Sequence, residues 1–201
     1  MRTKNLFLSI IAVFLIVFTY RNYISDEEYT VPKRIKIEEG YATNFINVSD
    51  TVKEKTDAIT TQCEKNDCKA IAIHDYVKNI NYTYQNETNK RPTEVIKYGG
   101  DCDEKSQLMA SMLKAINVKS ILIYTNNHAF IAVEIENEKN LIKPYAKIEI
   151  EDKNYYYAET TDKNSYIGAF NNITPKDFKA IYDVENEYKI KIEKAKLKII
   201  S

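Results

Sequence analysis

At Asn117 the hydrophobic period of the chain changes, and this switch restricts the fold more than any other feature of its 201 residues. From Cys102 onward, apolar residues recur at Leu108, Met109, Met112, Leu113 and Ile116. That three-to-four spacing predicts a helix with one buried face, ending near Asn117. Beyond Asn117 the spacing becomes two. Val118 to Tyr124 is rich in Ile and Val; from His128 to Glu136, Phe130, Ala132 and Glu134 oppose Ile131, Val133 and Ile135. Lys143 to Glu151 and Tyr155 to Thr160 read as further strands, with a turn at Lys153-Asn154. A helix followed by successive short strands predicts an α+β fold, the helix packed on an antiparallel sheet.

Two more helices are expected upstream. Ser49-Asp50 opens one to about Cys63, with Val52, Thr56, Ile59 and Cys63 at helical spacing. The other runs from about Asp67 to Asn79 and carries Ala70, Ile71, His74 and Val77, with Asn66 or Asp67 as its cap. His74 lies on or beside the apolar face and reads as a packing histidine. Ile80 to Tyr84 is extended, 85–91 a polar loop, and Pro92 to Tyr98 a helical turn. At the other end, Thr174-Pro175 predicts a short helix through about Tyr182. The tail from Tyr188 to Ile199 alternates lysine with Ile, Ala and Leu, as an edge strand guarded by lysines does. No internal repeat is visible.

The amino terminus is of another kind. Arg2 and Lys4 precede an apolar run from Leu6 to Phe18, broken only by Ser9. The exit, Phe18-Thr19-Tyr20-Arg21-Asn22, offers no small-x-small cleavage site. Residues 1–22 are therefore expected to be an uncleaved signal anchor, 23–49 a stalk, and 50–201 the domain. Basic residues before the run and Asp26-Glu27-Glu28 after it favour a domain outside the cytoplasm; a secreted form is the alternative. Asn-x-Ser/Thr acceptor sites stand at Asn47, Asn81, Asn86 and Asn172. Lys+Arg and Asp+Glu both number 29, so no net field attracts nucleic acid, and no nucleic-acid partner is expected.

Three cysteines suit that topology. Cys63 and Cys68 are five apart and can close a small disulfide loop, which leaves Cys102 as the odd thiol. Two other readings stay open: three buried reduced cysteines, and a zinc site of Cys63, Cys68, Cys102 and His128, whose spacing matches no standard pattern.

Cys102 is the residue with chemistry around it. It follows Gly99-Gly100-Asp101, and those are two of only four glycines in the chain. A helix start lowers a thiol pKa and offers backbone N–H groups to an oxyanion. A thiol nucleophile also needs a base that returns the proton and an acid that holds the imidazole tautomer. His128, opening a strand 26 residues on, is the candidate base. Glu159, late on the Tyr155 strand, is the candidate acid, with Asp162 as the alternative. No calcium-loop motif is present, and neither a metal nor another cofactor is expected.

Four ordered motifs carry a resemblance. They are Tyr98-Gly99-Gly100-Asp101-Cys102-Asp103-Glu104-Lys105-Ser106, then Leu113-Lys114-Ala115-Ile116-Asn117-Val118, then His128-Ala129-Phe130, then Tyr156-Tyr157-Ala158-Glu159-Thr160-Thr161. From Pro92 to about Gly168 the chain resembles the transglutaminase-like superfamily, within the papain-like cysteine enzymes. The resemblance implies a papain-like core with Cys102 as nucleophile, His128 as general base and acid, and Glu159 as the imidazole-orienting acid. It also implies thioester chemistry on amide bonds of a protein or peptide substrate, by peptidase- or isopeptidase-like hydrolysis or by transamidation. A non-catalytic binding module on the same fold is the alternative. The chain departs from the family pattern in three places: Glu159 stands for aspartate, Phe130 for tryptophan and Asn117 for glycine.

Overall fold

The computed structural model describes residues 13–16, 33–37, 40–84, 89–170 and 172–200. The anchor expected over 1–22 lies outside these, apart from a helical piece at 13–16. Among the described residues no helix is long and apolar enough to cross a membrane.

Part of the segment expected as a stalk forms a hairpin, β1 (Lys33–Ile37) with β2 (Gly40–Asn44), Ile35 facing Ala42. Ile35 is buried with the core. Helix α1 (Asp50–Thr60) starts where the Ser49 hydroxyl accepts the Val52 N–H. It buries Val52, Thr56 and Thr60, one turn apart. The two threonine hydroxyls donate to the carbonyls four residues back, which satisfies them inside the core.

Helix α2 (Asn66–Asn79) begins one residue earlier than the sequence suggests, and neither Asn66 nor Asp67 caps it; the cap position is Lys65, without a side-chain bond. Asp67 is buried and spent elsewhere. Its carboxylate accepts the N–H groups of Glu136 and Asn137 and the Asn140 amide, which fixes the loop after the fourth strand. A disulfide between Cys63 and Cys68 joins the approach from α1 to α2. It consumes both sulfurs and so removes the reduced-cysteine and four-ligand zinc alternatives.

Helix α3 (Pro92–Tyr98) has proline in its first turn and Glu94 accepting the Arg91 N–H. Helix α4 (Cys102–Ala115) is closed by a reciprocal cap: Asp101 accepts the Glu104 N–H and Glu104 accepts the Asp101 N–H. It differs from the expected one-faced amphipathic helix. Every residue from Glu104 to Leu113 is buried, because α4 is enclosed by the hairpin, the other helices and the sheet. The buried polar side chains are each bonded. Lys105 Nζ donates to the carbonyls ending α2, Lys78 and Ile80, and the Gln107 amide donates to the Thr43 carbonyl. Asn117 takes the left-handed conformation that ends the helix (φ 57°).

Among the described residues the sheet has seven antiparallel strands: β3 (Ser120–Tyr124), β4 (Ala129–Val133), β5 (Tyr145–Ile150), β6 (Lys153–Ala158), β7 (Ala180–Asp183), β8 (Lys189–Ile190) and β9 (Ala195–Ile200). Their order is β8-β7-β3-β4-β6-β5-β9. Alternate residues feed two cores. Leu122, Ile131 and Val133 pack with the helices, while Ile121, Ile123, Phe130 and Ile181 pack on the far face beneath Phe178.

Three local expectations are corrected. The turn between β5 and β6 is Glu151-Asp152, both at positive φ, and Lys153 already belongs to the strand. The final helix is a 3-10 turn at Pro175–Asp177, closed when Asp177 accepts the Thr174 N–H. The residues after it form β7, because β3 has an open edge and Ile181 and Tyr182 fill its two faces. The tail splits: Lys189–Ile190 pairs at one sheet edge and Ala195–Ile200 at the other, where Lys196 and Lys198 meet Glu149.

Candidate active site

The site starts with an unusual backbone. Gly99 has φ 82°, and a β-carbon there would lie 2.4 Å from the Asn81 carbonyl oxygen. At Gly100 a β-carbon would meet Glu104 at 3.0 Å. The glycine pair lets residues 99–100 lie against the extended strip 81–83: Gly100 N–H donates to Asn81 and its carbonyl accepts the Thr83 N–H. Beneath, buried Glu104 accepts the Lys90 N–H at 2.6 Å and pairs with Lys90 Nζ at 3.3 Å. The turn that delivers Cys102 is thereby fixed on both sides.

Cys102 is the first residue of α4, half-buried and free. Among the described residues its N–H has no acceptor, as expected at a helix start. His128 stands just before β4, its carbonyl accepting both the N–H and hydroxyl of Thr125. Its imidazole is hydrogen-bonded to Glu159, and Cys102 is close enough to act on its proton affinity. The Glu159 bond is Nε2 to Oε2 at 2.7 Å. Phe130 lies near-parallel to the imidazole, ring centroids 6.4 Å apart.

Glu159 follows the end of β6 and is saturated with donors. Oε2 also accepts the Tyr157 hydroxyl at 2.9 Å; Oε1 accepts the Thr161 N–H at 2.8 Å and its hydroxyl at 2.6 Å. Burial alone pushes its carboxyl up, but the His128 and Thr161 bonds outweigh it and hold the group down at about 2. In His128 burial likewise pushes down. The hydrogen bonds to Cys102 and Glu159 and their negative charges prevail, and the imidazole is pushed up to about 10. These surroundings favour the protonated ring.

The three residues selected from the sequence are brought together. Asp162 is not with them: it is exposed and accepts the Asn164 N–H. Two residues of the site were missed. Asp103, beside the cysteine, is pushed up to about 8 by burial, by its hydrogen bond to Asp101 and by the charges of Asp101 and Glu104. The sequence shows it only as an acid in a first turn. His74 was read as packing alone, yet its Nε2 lies 2.7 Å from the Glu159 carbonyl oxygen. Nothing in the sequence joins positions 85 residues apart. Beside the His128 turn, a polar cavity of about 340 Å³ is lined by Thr125, Asn126, Asn127, Asn172 and Lys176 among others. Among the described residues no cluster of three or more His, Cys, Asp or Glu can hold a metal ion.

The family model of the transglutaminase-like superfamily matches residues 53–164, a span that contains Cys102, His128 and Glu159. No curated protein and no solved structure matches the chain.

Proposed function

Because the chain belongs to the transglutaminase-like superfamily, we propose that it is a thiol-dependent enzyme acting on amide bonds through Cys102, His128 and Glu159. The observation that carries this reading is the His128–Glu159 hydrogen bond at 2.7 Å, on an imidazole whose other strong influence is the free thiol of Cys102 at the α4 start. The sulfur, its proton held on the His128 ring, attacks the carbonyl carbon of a carboxamide or peptide. The oxyanion forms near the free N–H of Cys102 at the α4 start. His128 gives its proton to the departing nitrogen as the C–N bond breaks, releasing ammonia or an amine and leaving a thioester on Cys102. His128 then takes a proton from water, whose oxygen attacks the thioester; the acid leaves and the thiol is restored. A lysine amine in place of water gives transamidation; hydrolysis of a peptide or protein is the reading favoured here. Glu159, ionised throughout, holds the ring orientation and balances its charge.

A site outside the cytoplasm is supported by the Cys63–Cys68 disulfide and by the apolar run from Leu6 to Phe18, which would anchor the chain to a membrane. Membrane fractionation of the full chain tests the anchor, which is abandoned if the protein partitions with the aqueous phase.

The chemistry is tested by the pH dependence of iodoacetamide alkylation at Cys102, in the wild-type chain and in His128→Ala. Rapid alkylation at pH 6 that the variant loses is expected. Superimposable profiles would mean that the trio does not activate the thiol, and a binding role for the fold would replace the enzymatic one.

A further inference from the structure

His74 and Glu159 meet inside the core from elements far apart in the chain. His74 lies on α2, 1% exposed, and its Nε2 is 2.7 Å from the Glu159 carbonyl oxygen. A carbonyl only accepts, so Nε2 carries a proton, and in the neutral ring Nδ1 holds the lone pair. The contact falls where the sheet stops. The β4–β6 ladder ends at Ala158, and Glu159 is the first residue beyond it. Its carbonyl takes its donor from the histidine, not from a neighbouring strand.

Resting on the thiol-enzyme reading, we propose that His74 is a positioning residue: its Nε2–H fixes the backbone of Glu159, and through it the carboxylate that orients His128. The Glu159 side chain is held by Tyr157 and Thr161, two residues to either side. All three belong to one short run of chain. Local bonds shape that run but do not seat it relative to the helices. His74 supplies the link to α2.

A second link runs from α4. The Ser106 hydroxyl bonds Thr160, next to Glu159, and the carbonyl of Ala129, next to His128. The two helices thus grip the Glu159–Thr160 turn from both sides.

The role needs only the Nε2–H, which either charge state supplies, and the surroundings favour the neutral ring. Burial leads in pushing His74 below its usual range, and Lys78 adds to it; the Glu159 carbonyl and the charges of Asp75 and Glu159 oppose. The two histidines are therefore driven oppositely, His74 to neutrality and His128 to protonation.

The chain has only two histidines, so imidazole NMR of the untagged full chain resolves both. In the wild type, His74 is expected as the Nε2–H tautomer titrating below 6.5, and His128 as titrating above it. In His74→Leu the His128 midpoint should fall by about one pH unit or more, with Cys102 alkylation at pH 6 slowed about tenfold. His74→Gln, whose amide can still donate, should restore both. An unchanged His128 midpoint in His74→Leu, with or without a loss of thermal stability, would overturn the proposal and leave His74 a packing residue. Should that variant fail to fold, the wild-type spectrum decides: an Nδ1–H tautomer for His74 also overturns it. Failure of the enzymatic reading looks different. Alkylation would then ignore His128→Ala, while the His128 midpoint would still respond to His74.

Discussion

The hydroxyl of Ser106, one turn beyond Cys102 on α4, donates to the carbonyl of Ala129 at 3.1 Å. With its proton committed there, it receives the Thr160 hydroxyl at 3.3 Å. The helix that begins at Cys102 is thereby tied to the ends of the strands that carry His128 and Glu159. Ser106→Ala leaves two buried groups without a partner and is expected to cost about 1–3 kcal/mol. The melting temperature should drop by roughly 2–4 °C per kcal/mol lost. Thermal unfolding beside Cys102 alkylation checks it; unaltered values for both would show that the link is dispensable.

Glu159→Gln keeps the shape but removes the charge that faces His128. Turnover, once a substrate is found, should fall on the order of 10³ to 10⁴-fold. Stability should change its pH dependence as well. A histidine raised in the folded state from 6.5 to about 10 stabilises fully below 6.5 and loses that contribution as pH climbs toward 10. Urea unfolding from pH 6 to 10 should show a decline in the wild type that is shallower in Glu159→Gln.

Asp103 acts in the same direction over a lower pH window. Its carboxyl is raised to about 8, so the folded state binds more protons than the unfolded one between about 4 and 8. Wild-type stability must decline over that window from this group. Asp103→Asn removes the term, and its unfolding free energy should gain on the wild type as pH rises from 5 to 9. A constant difference across the range would show that Asp103 ionises normally.

Gly99→Ala would force a β-carbon into the Asn81 carbonyl at 2.4 Å from a left-handed backbone. Strain of this kind costs on the order of 1–3 kcal/mol. The α4 start should shift with it, so Cys102 alkylation at pH 6 is expected to slow along with the loss of stability. A variant that retains wild-type alkylation would show that the glycine turn does not place the thiol.

Replacing Cys63 and Cys68 with serine opens a loop of five-residue separation. The loop-entropy relation gives a loss of about 2 kcal/mol. The bridge lies between α1 and α2 and has no bond to the trio, so the alkylation profile of Cys102 should be preserved. Parallel unfolding and alkylation of the double variant separate the two effects.

Much of this protein is written locally. The switch of period at Asn117 specifies α4 and the strands after it, because side-chain direction along a helix or strand follows from the backbone alone. Cys63 and Cys68 are close enough in sequence to find each other, and Ser49 caps α1 from its own neighbourhood. The grouping of Cys102, His128 and Glu159 as candidates was legible because each sits in one of the ordered motifs.

The tertiary structure decided what depends on distant partners. Ala180–Asp183 has turn and helix signals before it, yet becomes a strand because β3 offers an edge. Near-identical lysine-rich pieces of the tail occupy opposite edges of the sheet. Helix α4, patterned as one-faced, is buried on all sides because its polar residues find partners in the hairpin, in α2 and in the loop before α3. Asp67 serves a loop 70 residues away, and His74 holds the carbonyl of Glu159. A window of sequence encodes the preferences of the residues within it. A buried polar group is stable only with a partner, and which partner it meets is set by the packing of the whole chain.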